Sequence, residues 1–131
     1  MNHEAFVAHL RAHLPNLLAV YLFGSYAIGE AGPQSDLDLA ILNDGPLDPV
    51  ALWELTSDLA EMAGCPVDLV DLRAASTVLQ YQVITKGIRL WNRDVQAGIY
   101  EAFILSEKTD LDERRAGLID DIVKDGRVYG R

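Results

Sequence analysis

Apolar positions along the chain change their period several times, and each change marks an element. Phe6, Val7, Leu10 and Leu14 recur at helical spacing, which predicts a helix over residues 4–14, stopped by Pro15-Asn16. Residues 17–23 (LLAVYLF) are continuously apolar with β-branched and aromatic members, the pattern of a buried strand that ends at Gly24-Ser25. Residues 37–42 predict a second strand, closed by the turn cluster Asn43-Asp44-Gly45-Pro46. Asp48-Pro49 has the form of a helix start, with Asp as N-cap and Pro in the first turn. Val50, Leu52, Trp53, Leu55, Leu59 and Met62 extend that helix to about residue 63, where Gly64 stops it. Residues 67–72 (VDLVDL) predict a third strand, 76–86 a helix ended by Gly87, and 88–91 a fourth strand. The tail predicts two helices. One follows Asp94, with Ile99, Ala102 and Phe103 apolar. The other follows Asp110, where Glu113 completes a capping-box pattern and Leu118, Ile119, Ile122 and Val123 form a stripe.

The predicted order is helix, strand, strand, helix, strand, helix, strand and a helical tail. This is an α/β (α+β) domain with one mixed sheet of about four strands, flanking helices and a two-helix C-terminal tail. The 131 residues fit one domain: a core over 1–94, then a helical extension over 95–131 that packs on the core or on a partner.

Composition narrows the classes. Half the residues are hydrophobic and 24% charged, a globular balance rather than a disordered one. No apolar run approaches the roughly 20 residues of a membrane span, and the N-terminus lacks the basic-then-apolar order of a signal peptide. With a single cysteine, Cys65, in addition, the expected location is the cytoplasm. The net charge of -9 disfavours direct binding of nucleic acid and suits a basic protein partner, or a site where cations neutralise clustered carboxylates.

Such a cluster is visible. Leu22-Phe23-Gly24-Ser25 is followed by ten residues and then by Asp36-Leu37-Asp38. Side chains alternate along a strand, so Asp36 and Asp38 share a face with Cα atoms roughly 6.5 Å apart. Carboxylates that close repel, and a hard divalent cation such as Mg²⁺ relieves them. Gly24 allows close backbone approach, and Ser25 with nearby amides sits where a helix can begin, an arrangement that favours phosphate. A D-x-D pair or a Gly-Ser turn alone is common; the two together bring a phosphate grip to a metal grip. The third strand offers Asp68 and Asp71, which face opposite ways, so only one can join. Asp68 is favoured, because it lies deeper between apolar neighbours, where a charge is costly without a metal.

LFGSYAIGEAGPQSDLDLAIL resembles the signature of the DNA polymerase β-like nucleotidyltransferase superfamily, G-S-x10-D-x-D with a third Asp on a later strand. It is most similar to the minimal nucleotidyltransferases (MNT proteins), many of them antitoxins paired with HEPN-domain toxins. The resemblance spans about residues 17–91 and implies the polymerase β-like fold. It implies that Gly24 and Ser25 hold the triphosphate of ATP and that Asp36, Asp38 and Asp68 bind two Mg²⁺ ions. One ion would activate the attacking hydroxyl and the other stabilise the leaving pyrophosphate. One departure stands out: Tyr26, Ala27 and Ile28 follow Gly-Ser, where many relatives have basic residues.

Only about 40 residues follow the last predicted strand, so a second molecule is expected to bring the acceptor hydroxyl. By the same resemblance, that molecule is a cognate HEPN-type RNase toxin, adenylylated on a tyrosine. Two other readings remain open: a small-molecule acceptor such as an aminoglycoside, with Glu30, Asp58 and Glu61 as hints, and an antitoxin that acts by binding alone. Lys86 and Arg89 are within possible reach of a phosphate. His9 and His13 share a helix face but lack a third ligand nearby in sequence, so they are expected to be solvated.

Overall fold

Local signals set the ends of the elements. In the computed structural model, which describes residues 2–124 with side chains up to Asp110 and for Asp112 and Arg114, Asn2 caps α1 (His3–His13) by accepting from the Ala5 amide. β1 (Leu17–Phe23) runs into a 3₁₀ turn over Gly24–Tyr26, and β2 (Leu37–Asn43) follows the intervening loop. Asp48 caps α2 (Pro49–Ala63) through the Ala51 amide at 3.2 Å, and Gly64 closes it in the left-handed conformation at φ +71°. β3 (Val67–Asp71) leads through a 3₁₀ turn at Leu72–Ala74 to α3 (Thr77–Lys86), which Ser76 caps. β4 (Ile88–Asn92) and α4 (Gln96–Lys124) complete the described chain.

The strands form one mixed sheet in the order β3-β2-β1-β4. β1 is antiparallel to both β2 and β4, whereas β2 and β3 are parallel. The two central strands are apolar almost throughout because both their faces are covered. On one face Val20, Leu22, Leu37, Leu39 and Ile41 pack with Phe6 and Leu10 of α1 and Leu55 and Leu59 of α2. On the other, Tyr21, Ala40 and Leu42 pack with Val83 of α3 and Ala97, Tyr100 and Ile104 of α4.

The tail differs from its expectation. One continuous helix of 29 residues replaces the two that the sequence predicts. No Gly or Pro lies between Gly98 and Gly117, so nothing breaks the backbone at Asp110. Thr109 instead donates to the Leu105 carbonyl one turn back, and Lys108 pairs with Asp112 at 3.2 Å, both contacts of a helix interior. The stripe at Leu118, Ile119, Ile122 and Val123 lies outside the residues whose side chains are described. α4 also keeps Val95 before its first turn, and Ile99 and Phe103 on it, turned to solvent.

His9 is not simply solvated. Its Nε2 lies 2.9 Å from Asp58 Oδ2 and ties α1 to α2, while His13 contacts the His9 carbonyl. Cys65 is half-buried, as a small apolar residue would be.

Candidate active site

Gly24 sits where β1 gives way to the 3₁₀ turn. Its φ of +71° favours glycine, and space demands it as well, because a Cβ there would collide with the Asp38 carboxylate. The β1–β2 register explains the closeness. Phe23 pairs with Asp38, so the next residue of β1 folds back over that side chain. Ser25 belongs to a single turn, not to the start of a longer helix as expected from sequence: Ala27 N–H bonds to Gly24 O and Glu30 N–H to Ser25 O. An anion here would meet the amides of a turn, without the dipole of a long helix. The loop then returns, with Ser35 Oγ accepting from the Gly32 amide at 2.8 Å, and delivers Asp36 to the edge of β2.

Register also decides the third carboxylate. In the parallel β2–β3 pair Asp38 stands directly beside Asp68, about 4.8 Å away at the strand spacing. Asp71 pairs with Ile41 and has the opposite parity. The expectation that Asp68 is deeply placed is incorrect, however. It is exposed, because β3 is an edge strand and only Leu69 among its residues is buried.

Asp38 feels the charges of both neighbouring aspartates. Burial, then the charges of Asp68 and Asp36, hold the half-buried Asp38 carboxyl above the usual carboxylate value. Among the described residues no three acidic, His or Cys side chains close into a ready-made cage. An open row of mutually repelling carboxylates suits Mg²⁺, which takes one or two protein carboxylates and completes its shell with phosphate oxygens and water. The donor set therefore fits a divalent cation that arrives with a nucleotide, and does not fit a closed structural metal.

Beside Gly24 lies a cleft of about 320 Å³, lined by Phe23, Ile28, Leu79, Gln82 and Lys86. Asp58 is committed to His9 on the opposite face of the sheet, so it contributes nothing to an acidic acceptor pocket here. A polar group that sequence reading missed lies behind the site. Tyr21 Oη donates to Glu101 Oε2 at 2.8 Å, and Arg89 Nη1 donates to the same oxygen at 2.7 Å. Burial and the neighbouring carboxylate push the Tyr21 phenol well up, so it remains a donor and fixes α4 to β1. Tyr21 and Glu101 are 80 positions apart, and no local pattern joins them.

The model of the family described as "Polymerase beta, Nucleotidyltransferase" matches residues 7–96, which include the whole sheet and all three aspartates. The chain belongs to this nucleotidyltransferase family. It is 40% identical over 123 residues to the protein adenylyltransferase MntA of Shewanella oneidensis, covering 94% of this chain and 88% of that one. It is 32% identical over 110 residues to an aminoglycoside (3'')(9) adenylyltransferase of Klebsiella pneumoniae, covering 72% of this chain but only 41% of that enzyme. Among solved structures, a toxin-antitoxin complex with AMP-PNP matches at a TM-score of 0.82 and 40% identity, over 94% of this chain and 99% of that one. A complex of a tri-AMPylated HEPN toxin of S. oneidensis with its MNT antitoxin matches at 0.75 and 38%, over 93% and 96%. The nucleotidyltransferase fold is thus shared along nearly the whole described chain.

Proposed function

We propose that this nucleotidyltransferase is an antitoxin that transfers AMP from ATP to a tyrosine hydroxyl of a cognate HEPN-type toxin. The observation that carries the reading is Asp38 standing beside Asp68, two positions from Asp36, under a glycine that only a missing side chain lets close over Asp38. Asp36, Asp38 and Asp68 would hold two Mg²⁺ ions, and Gly24 and Ser25 the triphosphate. Bound there, the ions would supply the charge that lets a hydroxyl attack and pyrophosphate leave. The acceptor oxygen forms a bond to the α-phosphorus, the bond from that phosphorus to the bridging oxygen breaks, and the hydroxyl proton passes to solvent or a carboxylate. Gly24 keeps the nucleotide close enough to Asp38 for this in-line geometry.

Support for the acceptor comes from the similarity to MntA and to antitoxin chains solved with an AMPylated HEPN toxin, and from the net charge of -9, which complements a basic RNA-cleaving partner. Residues 1–94 form the catalytic core in this reading. Residues 95–131 form an extension whose first turns pack on α3 and whose outward apolar positions, Ile99 and Phe103, are available to the toxin. Among the described residues no helix is long and apolar enough to cross a membrane, and the reading places the protein in the cytoplasm, where ATP is available.

Incubation of the cognate toxin with this protein, Mg²⁺ and ATP labelled in its α-phosphate tests the proposal. Label on a toxin tyrosine is expected. Label on an aminoglycoside and none on the toxin would replace the acceptor, and a stable complex without any label would favour neutralisation by binding alone.

A further inference from the structure

No basic residue follows Gly24-Ser25 in the turn, where Tyr26, Ala27 and Ile28 stand. We infer that Lys86, the last residue of α3, binds the β- and γ-phosphates of the nucleotide held at Gly24; this rests on the nucleotidyltransferase reading above. The sheet itself brings the two residues together. β1 and β4 are antiparallel with Leu22 opposite Ile88, so the end of α3, just before β4, comes beside the end of β1, just before Gly24. Gly87 fixes the approach. A Cβ on it would meet the Val83 carbonyl and come within 2.8 Å of the Leu22 carbonyl, so only glycine lets the end of α3 lie this close to the end of β1. Lys86 and Gly24 then line the same cleft.

Charge points the same way. A nucleoside triphosphate must enter beside three carboxylates in a chain of net charge -9, and the Gly-Ser turn is followed by Tyr26, Ala27 and Ile28. Arg89, the basic residue of β4 nearest this end of the sheet, is engaged with Glu101, and Arg73 and Arg93 lie at the opposite end, against the Asn43 carbonyl and Asp94. Among the described residues no carboxylate lies within salt-bridge distance of Lys86. A compact, flexible ammonium at the mouth of a cleft is suited to a phosphate tail. A base or ribose would gain little from it.

Equilibrium titration of ATP, ADP and AMP with Mg²⁺ into the unsubstituted protein, Lys86→Ala and Lys86→Arg tests this. Lys86 is exposed, so both variants are expected to fold, which thermal unfolding checks. ATP affinity is expected to fall about tenfold in Lys86→Ala, the scale of one charge-assisted contact, with ADP affected less and AMP hardly at all. Lys86→Arg should recover most of the loss, and the salt dependence of ATP binding should flatten in Lys86→Ala. Equal losses for ATP and AMP, or no loss for either, would overturn the assignment while leaving the nucleotide site standing. Failure of the unsubstituted protein to bind ATP at all would overturn that site and Lys86 together.

Discussion

On the face covered by α1 and α2, β2 contributes Leu37, Leu39 and Ile41; on the face covered by α3 and α4 it contributes Asp38, Ala40 and Leu42. The first set lies under two helices along its whole length and is fully buried. The second changes character along the strand, from a half-buried carboxylate at its start to an apolar floor at its end. One strand therefore serves two ends: its α1/α2 face holds the fold, and the uncovered start of its other face holds the chemistry. α3 packs on β1 and lies near β4, and so leaves the starts of β2 and β3 open where Asp38 and Asp68 stand.

Substitutions on the two faces should separate activity from stability. The largest effect is expected for Asp36→Ala/Asp38→Ala, with AMP transfer slowed on the order of 10³-fold or more and thermal unfolding preserved. Loss of the fold in this variant would join the two roles that the faces keep apart. Leu39→Ala lies one residue away on the other face and should cost about 2–5 kcal/mol in chemical denaturation, with transfer per folded molecule unchanged. Next comes the pair of aspartates on β3. Asp68→Asn should slow transfer by about 10²-fold, whereas Asp71→Asn, of opposite parity, should change it by no more than a few-fold. Equal effects of the two would mean that the β2–β3 register does not select the third carboxylate.

The smallest effect is a pH slope in the metal-free protein. The folded-state value of Asp38 is raised above 3.8, so the folded state takes up its proton first as pH falls. Asp38 therefore contributes a gain in stability as pH is lowered through its folded value, levelling off below about 3.8. Comparison with Asp38→Asn isolates that slope from other carboxylates, and saturating Mg²⁺ with nucleotide should abolish it. An identical pH dependence in the two proteins would contradict the raised value ascribed to burial of Asp38 and then to the charges of Asp68 and Asp36.

What the sequence reveals follows from how local each cause is. The nearness of Asp36, just before β2, to Asp38 and the caps at Asp48, Gly64 and Ser76 are legible because each depends on residues a few positions apart. Parity limits β3 to one of Asp68 and Asp71, but that Asp68 stands beside Asp38, and stands there exposed rather than deep, depends on the β2–β3 register and on β3 lying at the sheet edge. The cleft position of Lys86 requires the β1–β4 register, and the His9–Asp58 and Tyr21–Glu101 contacts join residues 49 and 80 positions apart. At Asp110 the sequence offers a capping pattern, yet a cap forms only where the backbone leaves the helix, and neighbouring residues keep it helical.

The most direct measurement is the intact mass of the cognate toxin after incubation with ATP, Mg²⁺ and either the unsubstituted protein or Asp36→Ala/Asp38→Ala, with complex formation followed in parallel. The account predicts one or more added adenylyl groups with the unsubstituted protein, and none with the double variant, although both bind the toxin. Adenylylation that persists in the double variant, or a toxin that both proteins bind and neutralise without any gain in mass, would contradict it.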